Sequence, residues 1–249
     1  MIHHINEEKI KMEYTQLLSI NADTKTSKGT KFGYLTGILY LAPAKISGRN
    51  FCPNASKGCA EACLYSAGRG KFSNVQKARI KKSRYFIEHR SEFMLNLVNS
   101  IQKLIKKAGR DNLIPVVRLN GTSDIAWENI KIYDNKSIFE IFPELQFYDY
   151  TKSYKRLINS SININIDNYH LTFSRSESND HEVRVLNHYE PNKNIAVVFD
   201  KLPVKYLGRK VINGDLSDLR FKDDKGVIVG LLAKGDAKKD YSNFVVRGA

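Results

Sequence analysis

Cys52, Cys59 and Cys63 are the chain's three cysteines and stand in the spacing C-x6-C-x3-C within the segment FCPNASKGCAEACLYSAGRG. Thiolates are soft ligands for zinc or an iron–sulfur cluster, and three on one short, glycine-containing loop can converge on one metal face. With no fourth cysteine, one coordination position falls to a histidine, a water or a substrate, and an open position is what a catalytic centre requires. Two structural alternatives compete with this reading. The cysteines are packed as small hydrophobes, or they form a closed zinc site completed by a histidine such as His3, His4 or His89. The polar and turn-forming neighbours Pro53, Asn54, Ser56, Lys57, Gly58 and Glu61 speak against the first.

Residues 120–128 (NGTSDIAWE) place Asn120, Ser123 and Asp124 beside Trp127, the single tryptophan. Asp124 suits a base or a partner for a substrate amine, and Trp127 suits stacking on a planar ring. The bland alternative is a turn that Ser123 or Asp124 caps. Residues 147–156 (FYDYTKSYKR) interleave Tyr148, Asp149, Thr151 and Lys152, a mixture used to stack bases and neutralise phosphates. Core tyrosines with solvated lysines are its even competitor. Arg69, between Gly68 and Gly70 ahead of a helix start, suits a phosphate or carboxylate, with a plain turn as the alternative. No GxxxxGK, GxSxG or HExxH occurs, so nucleotide hydrolysis and the usual serine or zinc hydrolase schemes lack support.

These residues need elements to hold them. Apolar runs at 34–41, 114–119, 145–149, 170–173, 195–199, 210–212 and 227–231 read as seven strands, several continuous enough to be parallel strands covered on both faces. From the second strand on, each ends in polar residues, among them Asn120, Asp149, Ser174 and Lys234, with Arg118 at the end of the second. Apolar strand followed by polar strand end is what an α/β, TIM-like (β/α) barrel with its site at the C-terminal mouth would write. Seven strands rather than eight, with no clear helices after about residue 200, leave an incomplete or partly open barrel as the alternative. Ser73 and Ser91 are expected to start two helices after the cysteine loop, and Gly109 to end the second. One domain spanning 1–249 is expected, with 1–30 as an N-terminal extension.

Charge bears on the partner. The net charge of +14, from 40 basic against 26 acidic residues, favours a polyanion, nucleic acid first. A Lys-rich composition inherited from an AT-rich genome is the alternative. Lys71, Lys77, Arg79, Lys81, Lys82 and Arg84 follow the cysteine loop directly and are the expected nucleic-acid contacts. A second group, Lys103, Lys106, Lys107 and Arg110, also suits a helix C-terminus. No apolar run is long enough for a membrane helix, and residues 1–11 lack the order of a secretory signal. A reducing cytoplasm is therefore expected, where cysteines serve as ligands more than as bridges. Oligomeric state is not legible.

The runs KTSKGTKFGYLTGILYLAPA, CPNASKGCAEACLYSAGRG and RLNGTSDIAWE together resemble the phage-encoded "gene product 88" domain family, over most of the chain. For a phage-encoded chain the cytoplasm is the host's. More distantly, the order of parts is similar to phage three-cysteine proteins related to radical SAM barrels. There a three-cysteine loop follows the first strand, a strand-end S-D lies farther on and a T-K-R-like turn follows the next strand. The counterparts are Cys52, Cys59 and Cys63, then Ser123 and Asp124, then Thr151 and Lys152. This resemblance implies a radical-SAM-like barrel with a 4Fe-4S cluster, one iron of which is free for S-adenosylmethionine. The cysteine spacing departs from the usual C-x3-C-x2-C at both intervals.

Three functions are therefore expected in competition. The first is a metal- or cluster-dependent barrel enzyme modifying nucleic acid or a nucleotide precursor, with Asp124, Asp149 and Lys152 opposite the cysteines. The second is transglycosylase-type base exchange into DNA or RNA by Asp124 and Asp149, with structural zinc. The third is a non-enzymatic nucleic-acid or host-protein binder with a structural metal.

Overall fold

The computed structural model of the protein describes residues 16–20, 24–162 and 166–248. In chain order the elements are β1 (Ser19–Ile20), α1 (Thr24–Thr30), β2 (Tyr34–Ile38), α2 (Lys57–Glu61), α3 (Ser73–Glu88), α4 (Arg90–Arg110), β3 (Ile114–Arg118), β4 (Lys131–Tyr133), β5 (Lys136–Ser137), α5 (Ile138–Ile141), β6 (Gln146–Thr151), α6 (Tyr154–Ile162), β7 (Tyr169–Ser174), α7 (Asp180–Tyr189), β8 (Ile195–Phe199), β9 (Lys205–Tyr206), β10 (Arg209–Asn213) and β11 (Ile228–Leu232).

All seven expected strands are present, and they are the ones that run parallel. They lie side by side in the order β2, β3, β6, β7, β8, β11, β10. The first five follow chain order, as successive strand–helix–strand units do. One face of the sheet carries Leu35, Val117, Phe147, Phe173, Val197 and Ile228 into the main core. There α4 meets it with Phe93, Leu97, Ile101, Leu104 and Ala108, spaced three or four apart on one helical face and fully buried. Each large apolar side chain so buried contributes roughly 2 kcal/mol. The helix starts themselves carry no side-chain cap: Phe72 and His89 occupy the positions before α3 and α4, so Ser73 and Ser91 lie inside the helices. Gly109 does not end α4, which runs to Arg110; the chain turns at Asn112, with φ 52°.

The barrel is not closed. Among the described residues nine of the eleven strands form one open sheet, β4 and β5 pairing apart from it, and both edges that would have to meet are occupied by short antiparallel strands. β1 pairs with β2 at one edge and β9 with β10 at the other. The β9–β10 hairpin turns through Leu207 and Gly208, both at positive φ as a two-residue hairpin loop requires. The second face of the sheet is covered instead by the segment joining β10 to β11. Its Leu219 packs on Val116 and Tyr148, and the Phe221 ring lies 5.5 Å from that of Tyr148. The architecture is therefore α/β with a mostly parallel open sheet.

The expected N-terminal extension is only partly one. Leu17 and Leu18 are buried in the main core and β1 belongs to the sheet, because β2 would otherwise present a bare edge. Residues 1–15 and 21–23, with His3, His4 and the segment read for a secretory signal, lie outside the described residues. Among the described residues no helix is long and apolar enough to cross a membrane.

Candidate metal centre and substrate cavity

The loop after β2 carries the cysteines to the C-terminal ends of the parallel strands. Phe51 anchors it: the ring is buried 5.7 Å from Phe86 of α3, and its carbonyl accepts the Asp124 N–H at 2.8 Å. Cys52 then sits between the Ala44 N–H, 3.4 Å from Sγ, and the Thr122 carbonyl at 3.7 Å. Cys59 lies in α2, whose cap Ser56 accepts the Cys59 N–H at 3.1 Å. Cys63 opens a single turn of 3-10 helix, with its sulfur 3.5 Å from the Tyr65 N–H. Gly58 is where the loop comes closest to its neighbours: a Cβ there would stand 1.9 Å from Ser242 Oγ and 2.9 Å from Phe244 Cβ.

All three sulfurs are free, half-buried and line one cavity of about 260 Å³. Its other walls are Ala55, Ala62, Val198, Leu231 and Phe244 on the apolar side, with Arg118, Asp124, Lys152, Ser174 and Lys234 on the polar side. Burial pushes the Cys52 thiol up to about 11, the Ala44 N–H opposes this, and Cys63, Cys59 and Asp124 add to the rise. Burial also raises Cys63, while the Tyr65 N–H, Arg79 and Lys152 draw it back down. A thiol held high by burial and met by backbone N–H groups is one whose thiolate a metal would stabilise.

Three thiols on one largely apolar cavity, two of them receiving N–H bonds, are a fitting donor set for a cluster. Among the described residues no three His, Cys, Asp or Glu side chains gather tightly enough to hold a single ion. Among the described residues no histidine lines the cavity, and His89 is at the exposed end of α3. The closed zinc site completed by His89 is therefore not built.

The polar wall is organised by a residue that the sequence did not single out. Arg156 of α6 reaches Asp124 with Nη1 at 2.5 Å and Glu128 with Nε at 2.6 Å and Nη2 at 2.9 Å. Asp124 spends its other oxygen on the Lys152 N–H at 3.0 Å. Thr151 lines the cavity, and its hydroxyl accepts from Ser153 N–H and Arg156. Lys152 directs Nζ to Ser174 Oγ at 2.8 Å, 5.5 Å from the centre of the Phe244 ring. Lys234 pairs with Asp215. Phe244 itself is held by Arg175, which donates to the Asn243 and Phe244 carbonyls. That C-terminal wall carried no signature in its local sequence, and Arg156 was marked only as the last basic residue of the segment 147–156.

Several expected site residues are buried away from the cavity, and two that line it, Asn120 and Arg118, have their polar groups engaged within the protein. Trp127 is not a stacking platform: it is fully buried in the main core, where its Nε1 donates to Asn120 Oδ1 at 3.1 Å. Asn120 is spent likewise, accepting also from Ser123 Oγ and the Ile125 N–H while donating to the Ile125 carbonyl and Asp149. Asp149 does not face the cavity. It shares the side of β6 with Phe147, fully buried, and accepts from Asn120 N at 2.8 Å and Tyr169 Oη at 3.1 Å. Asp124 and Asp149 thus do not share an open site, as paired base-exchange carboxylates must. Tyr148 is buried on the other side of β6 against Leu219. Arg118 ends β3, bonded to Asp218 at 3.0 Å with its guanidinium 4.9 Å from the Tyr150 ring.

The basic residues after the cysteine loop divide by helical periodicity. Lys77, Lys81 and Arg84 lie on the exposed face of α3, and Lys71 is exposed before it. Arg79 and Lys82 turn inward instead. They line a second cavity of about 630 Å³ together with Tyr40, Arg69, Arg118 and Lys234. Its wall at Leu64, Arg118, Gly121, Thr122 and Lys234 is shared with the cysteine cavity. Gly121 allows this: a Cβ there would stand 2.6 Å from the Tyr40 ring.

A family model described as gene product 88 matches residues 12–248 of the chain. No curated protein and no solved structure matches it.

Proposed function

The chain belongs to the gene product 88 family, and we propose that it is an iron–sulfur-dependent enzyme that modifies nucleic acid or a nucleotide precursor. The observation that carries this reading is the convergence of Cys52, Cys59 and Cys63 with Asp124, Lys152 and Ser174 on one cavity at the C-terminal ends of parallel strands. Open α/β sheets place their ligands at those ends. A cluster suits the loop better than a single ion, because it holds its three thiolates apart by its own width. When bound, a cluster with one iron not held by cysteine supplies electron transfer and a place for S-adenosylmethionine.

The chain's own residues have separate tasks. Lys152 holds a positive charge against an anionic group of the substrate, and Ser174 fixes its Nζ. Asp124, bonded to the Lys152 backbone and to Arg156, positions that lysine rather than acting as a free base. Ala55, Ala62, Val198 and Phe244 keep water away from the reacting group. A nucleic-acid or nucleotide substrate is supported by the net charge of +14 and by the basic cavity sharing the wall.

The test is nucleoside mass spectrometry. DNA, RNA and nucleotides are incubated with anaerobically reconstituted protein, reductant and S-adenosylmethionine. A mass change in one of the three is expected, lost in Lys152→Met with metal content retained. Three unchanged substrates under reducing conditions contradict the reading.

A further inference from the structure

The cavity beside the cysteine site has an unusual wall. Arg69, Arg79, Lys82, Arg118 and Lys234 all line it, and among the described residues no aspartate or glutamate does. Arg118 pairs with Asp218, and Lys234 with Asp215. Arg79 is buried, with its guanidinium 4.6 Å from the centre of the Tyr40 ring and 5.7 Å from that of Tyr65. Lys82, one helical turn on, donates to the Leu17 carbonyl at 3.3 Å. Two cations three residues apart on an inward helical face repel each other. Burial and then Arg79 push the Lys82 ammonium down to about 8. A concavity of this kind attracts an anion of at least two charges, which would relieve both the burial and the repulsion.

The position of the cavity narrows the anion. It meets the cysteine cavity along Gly121, Thr122 and Leu64, so a ligand held by its anionic end in one can place its remaining part in the other. We infer that Arg69, Arg79 and Lys82 form a phosphate subsite that holds a nucleotide phosphate while the attached nucleoside enters the cysteine cavity. This rests on the proposed reading of that cavity as the reacting site. The same phosphate chemistry is offered by a free nucleotide and by a phosphodiester within a strand.

The experiment measures binding by the full-length protein of a short fluorescent single-stranded oligonucleotide and of adenosine triphosphate, with inorganic phosphate as competitor. Arg69 is exposed, so Arg69→Glu is not a folding variant, and Lys82→Gln keeps the length of the chain. Each is expected to weaken binding about tenfold or more. For the oligonucleotide, each is also expected to lower the slope of log affinity against log salt by about one. Competition by phosphate with tight nucleotide binding assigns a free nucleotide; binding of the oligonucleotide alone assigns a strand. The charge control is Lys205→Glu with Lys210→Glu, at the far edge of the sheet, expected to bind as the parent does. The inference is overturned if Arg69→Glu and Lys82→Gln bind both probes unchanged, or if the control loses as much. Repeating the measurement on Cys52→Ser separates the two readings. Phosphate-dependent binding in parent and variant alike, with no iron in the parent, keeps the subsite and removes only the cluster.

Discussion

The Glu177 carboxylate accepts the Gly58 N–H at 2.7 Å, tying the middle of the cysteine loop to the segment after β7. Its second oxygen accepts from Ser56 Oγ, also at 2.7 Å, and Ser56 in turn caps the helix that carries Cys59. One side chain thus sets where Cys59 points. Groups that orient metal ligands from behind typically govern affinity by ten- to a hundredfold. Glu177→Ala is expected to lower metal loading by about tenfold while costing only about 1–2 kcal/mol of stability. Metal analysis beside a denaturation curve reads both, and full loading in the variant would show that the loop positions itself.

Arg156 is buried with two carboxylates, and removing it strands both. Its side chain and those of Asp124 and Glu128 are about a tenth exposed, so little solvent screens the loss. Arg156→Ala is expected to lose about 3–5 kcal/mol in denaturant unfolding. Arg156→Lys should recover only part of this, because an ammonium cannot make the two-pronged pair with Glu128. A loss of under about 1 kcal/mol in the alanine variant would mean the network is not the support of the polar wall.

His170 gives the fold a pH dependence. Burial, then Lys193 and Arg220, push its imidazole down from 6.5 to about 4. The folded protein therefore holds it neutral where the unfolded chain would protonate it. Its contribution is fully present above 6.5 and is lost as pH falls through about 4. The full loss is about 3 kcal/mol. His170→Gln should show a flatter fall in stability across that window, and equal slopes would assign the acid sensitivity to other groups.

Trp127→Phe is expected to cost about 1 kcal/mol through the lost bond to Asn120. Metal loading and nucleotide binding should be unchanged, since the indole is buried away from the cavity. Weakened nucleotide binding at unchanged stability would place the ring in the site after all.

The strands and the cysteine loop were legible because their signals are local. Continuous apolar runs marked all seven parallel strands, and cysteine spacing marked the loop. Seven strands rather than eight already made an open barrel one of the two expectations; what was not legible is which short strands take the edges of β2 and β10. On β6 the alternation of side chains does carry information: Asp149 shares parity with the core residue Phe147, whereas Tyr148 and Tyr150 take the other face. That period of two divides the strand residues of 147–156 between two faces, so they do not form one cluster. The same holds on α3, where the three-to-four periodicity separates Arg79 and Lys82 from Lys77, Lys81 and Arg84. Glu177 and Phe244 lay beyond any local signal, the first standing 121 residues from the Ser56 it binds.

The most direct test of the account is iron, zinc and acid-labile sulfide analysis, with an absorption spectrum, on protein prepared without oxygen. The account predicts a brown protein with about four irons and four sulfides per chain. The colour and both elements should disappear when Cys52, Cys59 and Cys63 are each replaced by serine. A colourless protein with about one zinc per chain would contradict it. So would iron that stays bound in the triple serine variant.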